Sequence, residues 1–132
     1  MRYFQTLTHT HNDTATGMLH ITADDSGNLM PRLSLKHEGD YVAISASYGP
    51  VEMALRPRYT DLMFGLMRLQ PIEGLQTSRQ VGSGQTYIAL GLQPDGVLVL
   101  RPTLIGDGGG HITLNLALSS DARATMMHWL EA

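Results

Sequence analysis

The chain has 132 residues, no cysteine, and nine Lys and Arg against twelve Asp and Glu, a formal charge of −3. This length suits a single domain over residues 1–132 with a sizeable core; the lack of cysteine excludes disulfides, thiolate metal sites and cysteine nucleophiles, and fits a reducing compartment such as the cytoplasm. The charge removes whole-molecule attraction as a route to nucleic acid and leaves only a local basic patch.

From the N-terminus, "MRYFQTLTHTHND" lacks the apolar core of a signal peptide, and no apolar run in the chain approaches the roughly 20 residues that cross a bilayer, so no membrane partner is expected. A first strand is predicted over about 2–10. Leu19, Ile21 and Ala23 then alternate with His20 and Thr22, the period of a strand with one buried face. "ADDSGN" and "KHEGD" break the alternation with turn residues, giving strands at about 17–24, 28–36 and 41–48. After "YGP" the period lengthens: Tyr59, Leu62, Met63, Leu66 and Met67 form a helical stripe, with Pro57 suited to the first turn and Pro71 as the stop.

Strand candidates then resume in "GLQTSRQVG", "QTYIALGLQ", "GVLVLRPTLI" and "HITLNLALS", divided by "GSG", "PDG" and "GDGGG". A second helix closes the chain, with Ser120 as N-cap and Ala122, Met126, Trp129 and Leu130 as its stripe. The order of elements occurs twice, and so do residues. "GNLMPRLSLKHEG" and "GVLVLRPTLIGDG" lie 69 positions apart and share Gly27/Gly96, Leu29/Leu98, Arg32/Arg101, Leu35/Leu104 and Gly39/Gly108. The same offset sets Leu19, Ile21 and Ala23 on Ile88, Leu90 and Leu92. The expected fold is α+β: two tandem β-β-β-β-α repeats, at about 2–70 and 74–131, forming antiparallel sheets covered by helices, with Leu29 and Leu98 in equivalent core positions.

Four antiparallel strands and a helix, taken twice, resemble the Whirly and Pur-type single-stranded nucleic-acid-binding proteins, and the unit is similar to the positive-cofactor domain of transcription. The resemblance spans about Tyr3 to Leu130 and rests on element order and the repeat. It implies a sheet face that carries DNA or RNA, and helices that cover the other side or mediate assembly into a dimer or tetramer. Several residues suit that face. Arg32, Ser34 and Lys36 share one side of a strand, Arg101 and Thr103 the corresponding side of its counterpart; Gln5 and Gln76 match on the first strands, with Arg79 near by, and Tyr3, Tyr41, Tyr48 and Tyr87 are available aromatics. Cations neutralise phosphates and flat rings stack on any base, which binds single strands without reading sequence.

Other chemistry is weaker. His9 and His11 in "HTH" share a strand face, with His20 on a neighbouring strand, but the later ligands of the cupin pattern that His-x-His resembles do not follow, and solvated histidines explain the pair. "GDGGG" lacks the Lys-Ser/Thr and following helix of a phosphate loop, Asp24 and Asp25 read as turn formers, and no Ser, His and Asp are set in a nucleophile's spacing. No metal and no cofactor are expected. Eight methionines, among them Met53, Met63, Met67, Met126 and Met127 on or near the helices, suit a core or a self-association surface. The expected function is non-enzymatic binding of single-stranded DNA or RNA, in replication, recombination, conjugation or transcription. The rival is a protein-binding assembly or adaptor module; a small β-rich enzyme or ligand-binding protein ranks third. Gathering of Arg32, Lys36, Arg79 and Arg101 on one face favours the first, and scatter the second.

Overall fold

The computed structural model describes residues 3–23 and 29–132, so the Asp24 and Asp25 turn lies outside the described residues. Two sheets and two helices make up the α+β fold. The smaller sheet is an antiparallel meander of β2 (His9–Asp13), β3 (Met18–Thr22), β4 (Arg32–Glu38), β5 (Tyr41–Tyr48) and β6 (Val51–Leu55). The helix α1 (Tyr59–Met67) follows. The larger sheet orders β1 (Gln5–Leu7), β11 (Leu116–Leu118), β9 (Leu98–Ile105), β8 (Thr86–Leu92) and β7 (Arg79–Gly82), with β10 (His111–Thr113) also paired to β9. The second helix, α2 (Ser120–Glu131), ends the chain.

Among the described residues six strands therefore precede α1 and five lie between the helices, where four and four were expected. The additions have local causes. The first predicted strand divides at Thr8: Leu7 pairs with Leu118 in the larger sheet, whereas His9 pairs with Thr22 in the smaller. The β1–β11 pairing is parallel, so that sheet is not purely antiparallel. "VEMAL" forms β6 because the Gly49–Pro50 turn folds it back onto β5, and the last predicted strand splits into β10 and β11 around Leu114 and Asn115.

Register explains a further correction. Leu98 opens β9 fully buried, but Leu29 is 44% exposed and precedes β4. Pro31 has no amide to give a strand ladder and Met30 takes a left-handed φ of 43°, so pairing begins only at Arg32. "GLQTSRQVG" likewise pairs only from Arg79, because the chain before it crosses over β8. A Cβ on Gly91 would lie 1.8 Å from the Gln76 carbonyl oxygen, so only glycine fits there.

One apolar cluster takes side chains from both sheets and both helices. At its centre Leu33, Leu35 and Ile44 of the smaller sheet line a small interior cavity with Ile88, Leu90 and Leu100 of the larger, closed by Leu62, Leu66 and Met126 of the helices. Helix α1 packs against β7, and α2 against β2, β3 and β11. The helical stripes are those of the sequence with three changes. Met67 is exposed; Pro57 lies just before the N-cap Arg58; and α2 is capped by Ser119, whose hydroxyl accepts from the Ala122 amide at 3.2 Å, rather than by Ser120. His37 at the end of β4 stacks on Trp129 of α2, ring centroids 4.3 Å apart, and its Nε2 lies 3.2 Å from the Trp129 carbonyl, which ties the last turn of α2 to the smaller sheet. Among the described residues no helix is long and apolar enough to cross a membrane.

Candidate nucleic-acid interface

The outward face of the smaller sheet is built by period-two alternation. Leu33 and Leu35 turn into the core, which directs Arg32, Ser34, Lys36 and Glu38 outward. Strand pairing then sets their neighbours in rows: His9, Thr22, Arg32, Ser47 and Glu52 in one, and His11, His20, Ser34, Ser45 and Ala54 in the next. A third row holds Asp13, Met18, Lys36 and Ala43.

Long side chains flank short ones on this face. Met18, Lys36 and Arg56 stand around Ser34, Ala43 and Ala54 in a shallow groove of about 360 Å³. Arg32 and Lys36 are exposed, and among the described residues neither has a hydrogen bond or an ion pair. They lie four positions apart, a span of about 13 Å along a strand. His20 links its neighbours along the middle row: its Nδ1 is 2.8 Å from the Ser34 hydroxyl, and its ring stacks on His11 with centroids 6.4 Å apart at 9°. Partial burial, and then the Arg32 charge, lower the His20 pKa below 6.5, with His11 adding to this and Asp13 opposing it. Hydrogen bonding from Thr16 holds the Asp13 carboxyl below its usual range, so it stays a carboxylate on the rim of the face. Glu38 is occupied by Arg56 at 2.9 Å, and Glu52 accepts from the Ser45 hydroxyl at 3.1 Å.

The other candidates lie elsewhere. Arg101 points outward from β9 of the larger sheet, where its Nε donates to Asn115 Oδ1 at 2.8 Å; Thr103 on the same side is buried and bonds Thr113 at 3.0 Å. Tyr87 lies opposite Thr103 on that sheet. Arg79 shares the side of Val81, toward α1, and its Nε donates to the Arg68 carbonyl at 3.3 Å at the helix C-terminus. Gln76 is in the crossing segment before β7, its amide donating to the Glu73 carbonyl at 3.1 Å. Tyr41 is covered by Arg56 and Arg58, 4.3 and 5.3 Å from its ring centroid. The four cations thus do not share one face: Arg32 and Lys36 do, while Arg79 and Arg101 do not join them.

Tyr3 and Gln5 are brought together, in a cleft with Tyr48, Thr113 and Asn115 at the β1 edge of the larger sheet. Asn115 is the residue the sequence reading missed. It lies in a strand-like run between β10 and β11, where the register that pairs Thr113 with Thr103 and Leu116 with Leu100 sets it opposite Arg101 and beside the cleft. Among the described residues no group of three His, Asp, Glu or Cys side chains is placed to hold a metal ion. In comparisons with known proteins, no family model matches the chain, and neither curated proteins nor solved structures yield a match.

Proposed function

We propose that this protein binds single-stranded DNA or RNA without catalysing a reaction, through the outward face of the β2–β6 sheet. The observation that carries this reading is the pair Arg32 and Lys36, exposed and unpaired among the described residues, with Ser34, Ser45 and Ser47 around them and His9, His11 and His20 on the adjacent strands. Two exposed cations beside short hydroxyl side chains suit a flexible phosphate backbone.

A duplicated β-β-β-β-α origin, as in the Whirly-like arrangement, belongs to the same proposal. It is supported by matched edges: β6 lies beside β5 in one sheet, and β1 beside β11 in the other. An experimental structure whose strands Met18–Tyr48 and Thr86–Leu118 fail to superpose in order would overturn the duplication. Self-association into a dimer or tetramer is supported by Phe64 and Met67, both exposed on α1.

The test is a titration of fluorescent oligo-dT and oligo-U at 50 mM salt. Single strands should bind better than duplex of equal length, the logarithm of affinity should fall with the logarithm of salt at about −0.7 per contacted phosphate, and Arg32→Ala with Lys36→Ala should flatten that slope by about 1.4. Light scattering on the same sample should exceed the 14.4 kDa of one chain. The separation of Arg79 and Arg101 from the Arg32 face favours the second reading, a protein-binding adaptor; no binding of either oligomer at micromolar protein would move the assignment there.

A further inference from the structure

We propose that the cleft beside β1 is a slot for one nucleobase, an inference that rests on the single-strand reading for its place in a bound chain. The cleft has a volume of about 480 Å³ and is lined by Tyr3, Gln5, Tyr48, Thr113, Leu114, Asn115 and Leu116. That is room for a nucleoside-sized group, with polar groups few enough to orient it. Among the described residues no charged side chain lines it, which suits an uncharged group. Two tyrosines arrive from separate elements, Tyr3 ahead of β1 and Tyr48 at the end of β5, beside the buried Leu114 and Leu116. Aromatic and aliphatic walls with carboxamides at the edge suit a planar heteroaromatic ring: the walls take its faces and the amides its polar rim.

The Asn115 amide has a fixed sense. Arg101 Nε donates to its Oδ1 at 2.8 Å, so the Asn115 NH2 group is the part left to meet a ligand. The Gln5 backbone N–H donates to the Asn115 backbone carbonyl at 2.9 Å, which holds β1 and Asn115 at one spacing across the cleft. An NH2 donor selects a base edge bearing a carbonyl, as thymine, uracil and guanine present. Arg101 therefore serves this slot as a positioning residue and need not touch phosphate. The slot lies around the end of β5 from the cationic face: Ser47 points outward and pairs with Arg32, while Tyr48, the next residue, points to the core side. A strand with a phosphate at Arg32 can turn one base over the end of β5 into the cleft.

The experiment compares fluorescent oligo-dT with an abasic phosphodiester of equal length at 50 mM salt, and separately adds millimolar thymidine while recording the Asn115 side-chain amide resonances by NMR. The expected result is about tenfold tighter binding of oligo-dT than of the abasic strand, and a shift of the Asn115 amide with thymidine. Asn115→Asp, which keeps an acceptor for Arg101 but loses the donor, should remove most of that preference. Tyr3→Ala changes an exposed ring and should reduce the preference with the melting temperature unaltered. Equal binding of the two strands with no shift from thymidine overturns the slot and leaves the single-strand reading standing. A shift from thymidine with neither strand bound keeps the slot as a nucleoside site and overturns the single-strand reading.

Discussion

Lowering the pH should strengthen binding through His20, and the size of the effect follows from its surroundings. On the outward face His20 meets His11 directly across β2, with His9 and Asp13 on the same strand, and Ser34 across β4 with Arg32 and Lys36 to either side. On β3 itself its outward neighbours are Met18 and Thr22. In the free protein its pKa is lowered below 6.5, by partial burial first and by Arg32 second. The folded state therefore disfavours the protonated ring: the stability associated with neutral His20 is full above pH 6.5 and is lost as pH falls toward the folded pKa. A polyanion seated over Arg32 reverses the charge contribution and raises the pKa, so binding takes up a proton. One proton changes the logarithm of affinity by at most one per pH unit, so His20 alone contributes up to about tenfold for each unit between its bound and free pKa values. The assay is oligo-dT anisotropy at pH 7.5, 6.5 and 5.5 at constant ionic strength, with circular dichroism to confirm folding at each pH. His20→Gln keeps a polar partner for Ser34 and should flatten the profile by that proton's share. Affinity that is independent of pH while the protein stays folded, or a profile unchanged in His20→Gln, refutes the placement of the strand over β3 and β4.

Two further predictions test the fold that carries the face. Gly91→Ala places a methyl 1.8 Å from the Gln76 carbonyl oxygen and 2.8 Å from its carbon, both backbone, so the crossing segment must move; the cost should be about 1–3 kcal/mol, at about 3–5 °C of melting temperature per kcal/mol, and calorimetry showing less than about 1 °C of change would contradict that crossing. The Thr8 hydroxyl is buried, and among the described residues it has no hydrogen-bond partner, at the point where the chain passes from one sheet to the other. Thr8→Val should leave stability equal or raise it by up to about 1 kcal/mol in urea melts, and a loss of that size would show that the hydroxyl has a partner.

Alternation and helical stripes were enough to read β5 at its observed bounds and both helices within a residue or two, because there the buried face decides the conformation locally. They failed where a distant partner decides. Nothing in "QTLTHTHND" marks Thr8 as a boundary, since Leu7 is placed by Leu118 and His9 by Thr22. The Leu29/Leu98 identity misled for a different reason: proline at position 31 delays the ladder on one side, whereas Pro102 sits within β9 on the other. At the candidate site, parity correctly turned Arg32 and Lys36 outward from Leu33 and Leu35. The same rule read from Val81 would have put Arg79 on the α1 side, so that signal was present in "RQVG" and was overlooked. The Arg101–Asn115 contact also had a signal in the sequence: a hairpin closed at "GDGGG" sets the two opposite each other, between the pairs Thr103–Thr113 and Leu100–Leu116.

The passage at Thr8 gives the N-terminal segment a role in both halves of the proposed interface. Tyr3 and Gln5 belong to the cleft at the edge of the larger sheet, while His9 and His11, a few residues on, belong to the face of the smaller one. Because β1 is held by β11 and β2 by β3, Gln5, His9 and His11 cannot shift without breaking strand pairing, and their separation is fixed by the two sheets rather than by a flexible loop. A ligand that engages both the slot and the cations meets a preorganised surface and has little ordering to impose on the protein, which favours a strand long enough to reach from Arg32 to the cleft over any single nucleotide.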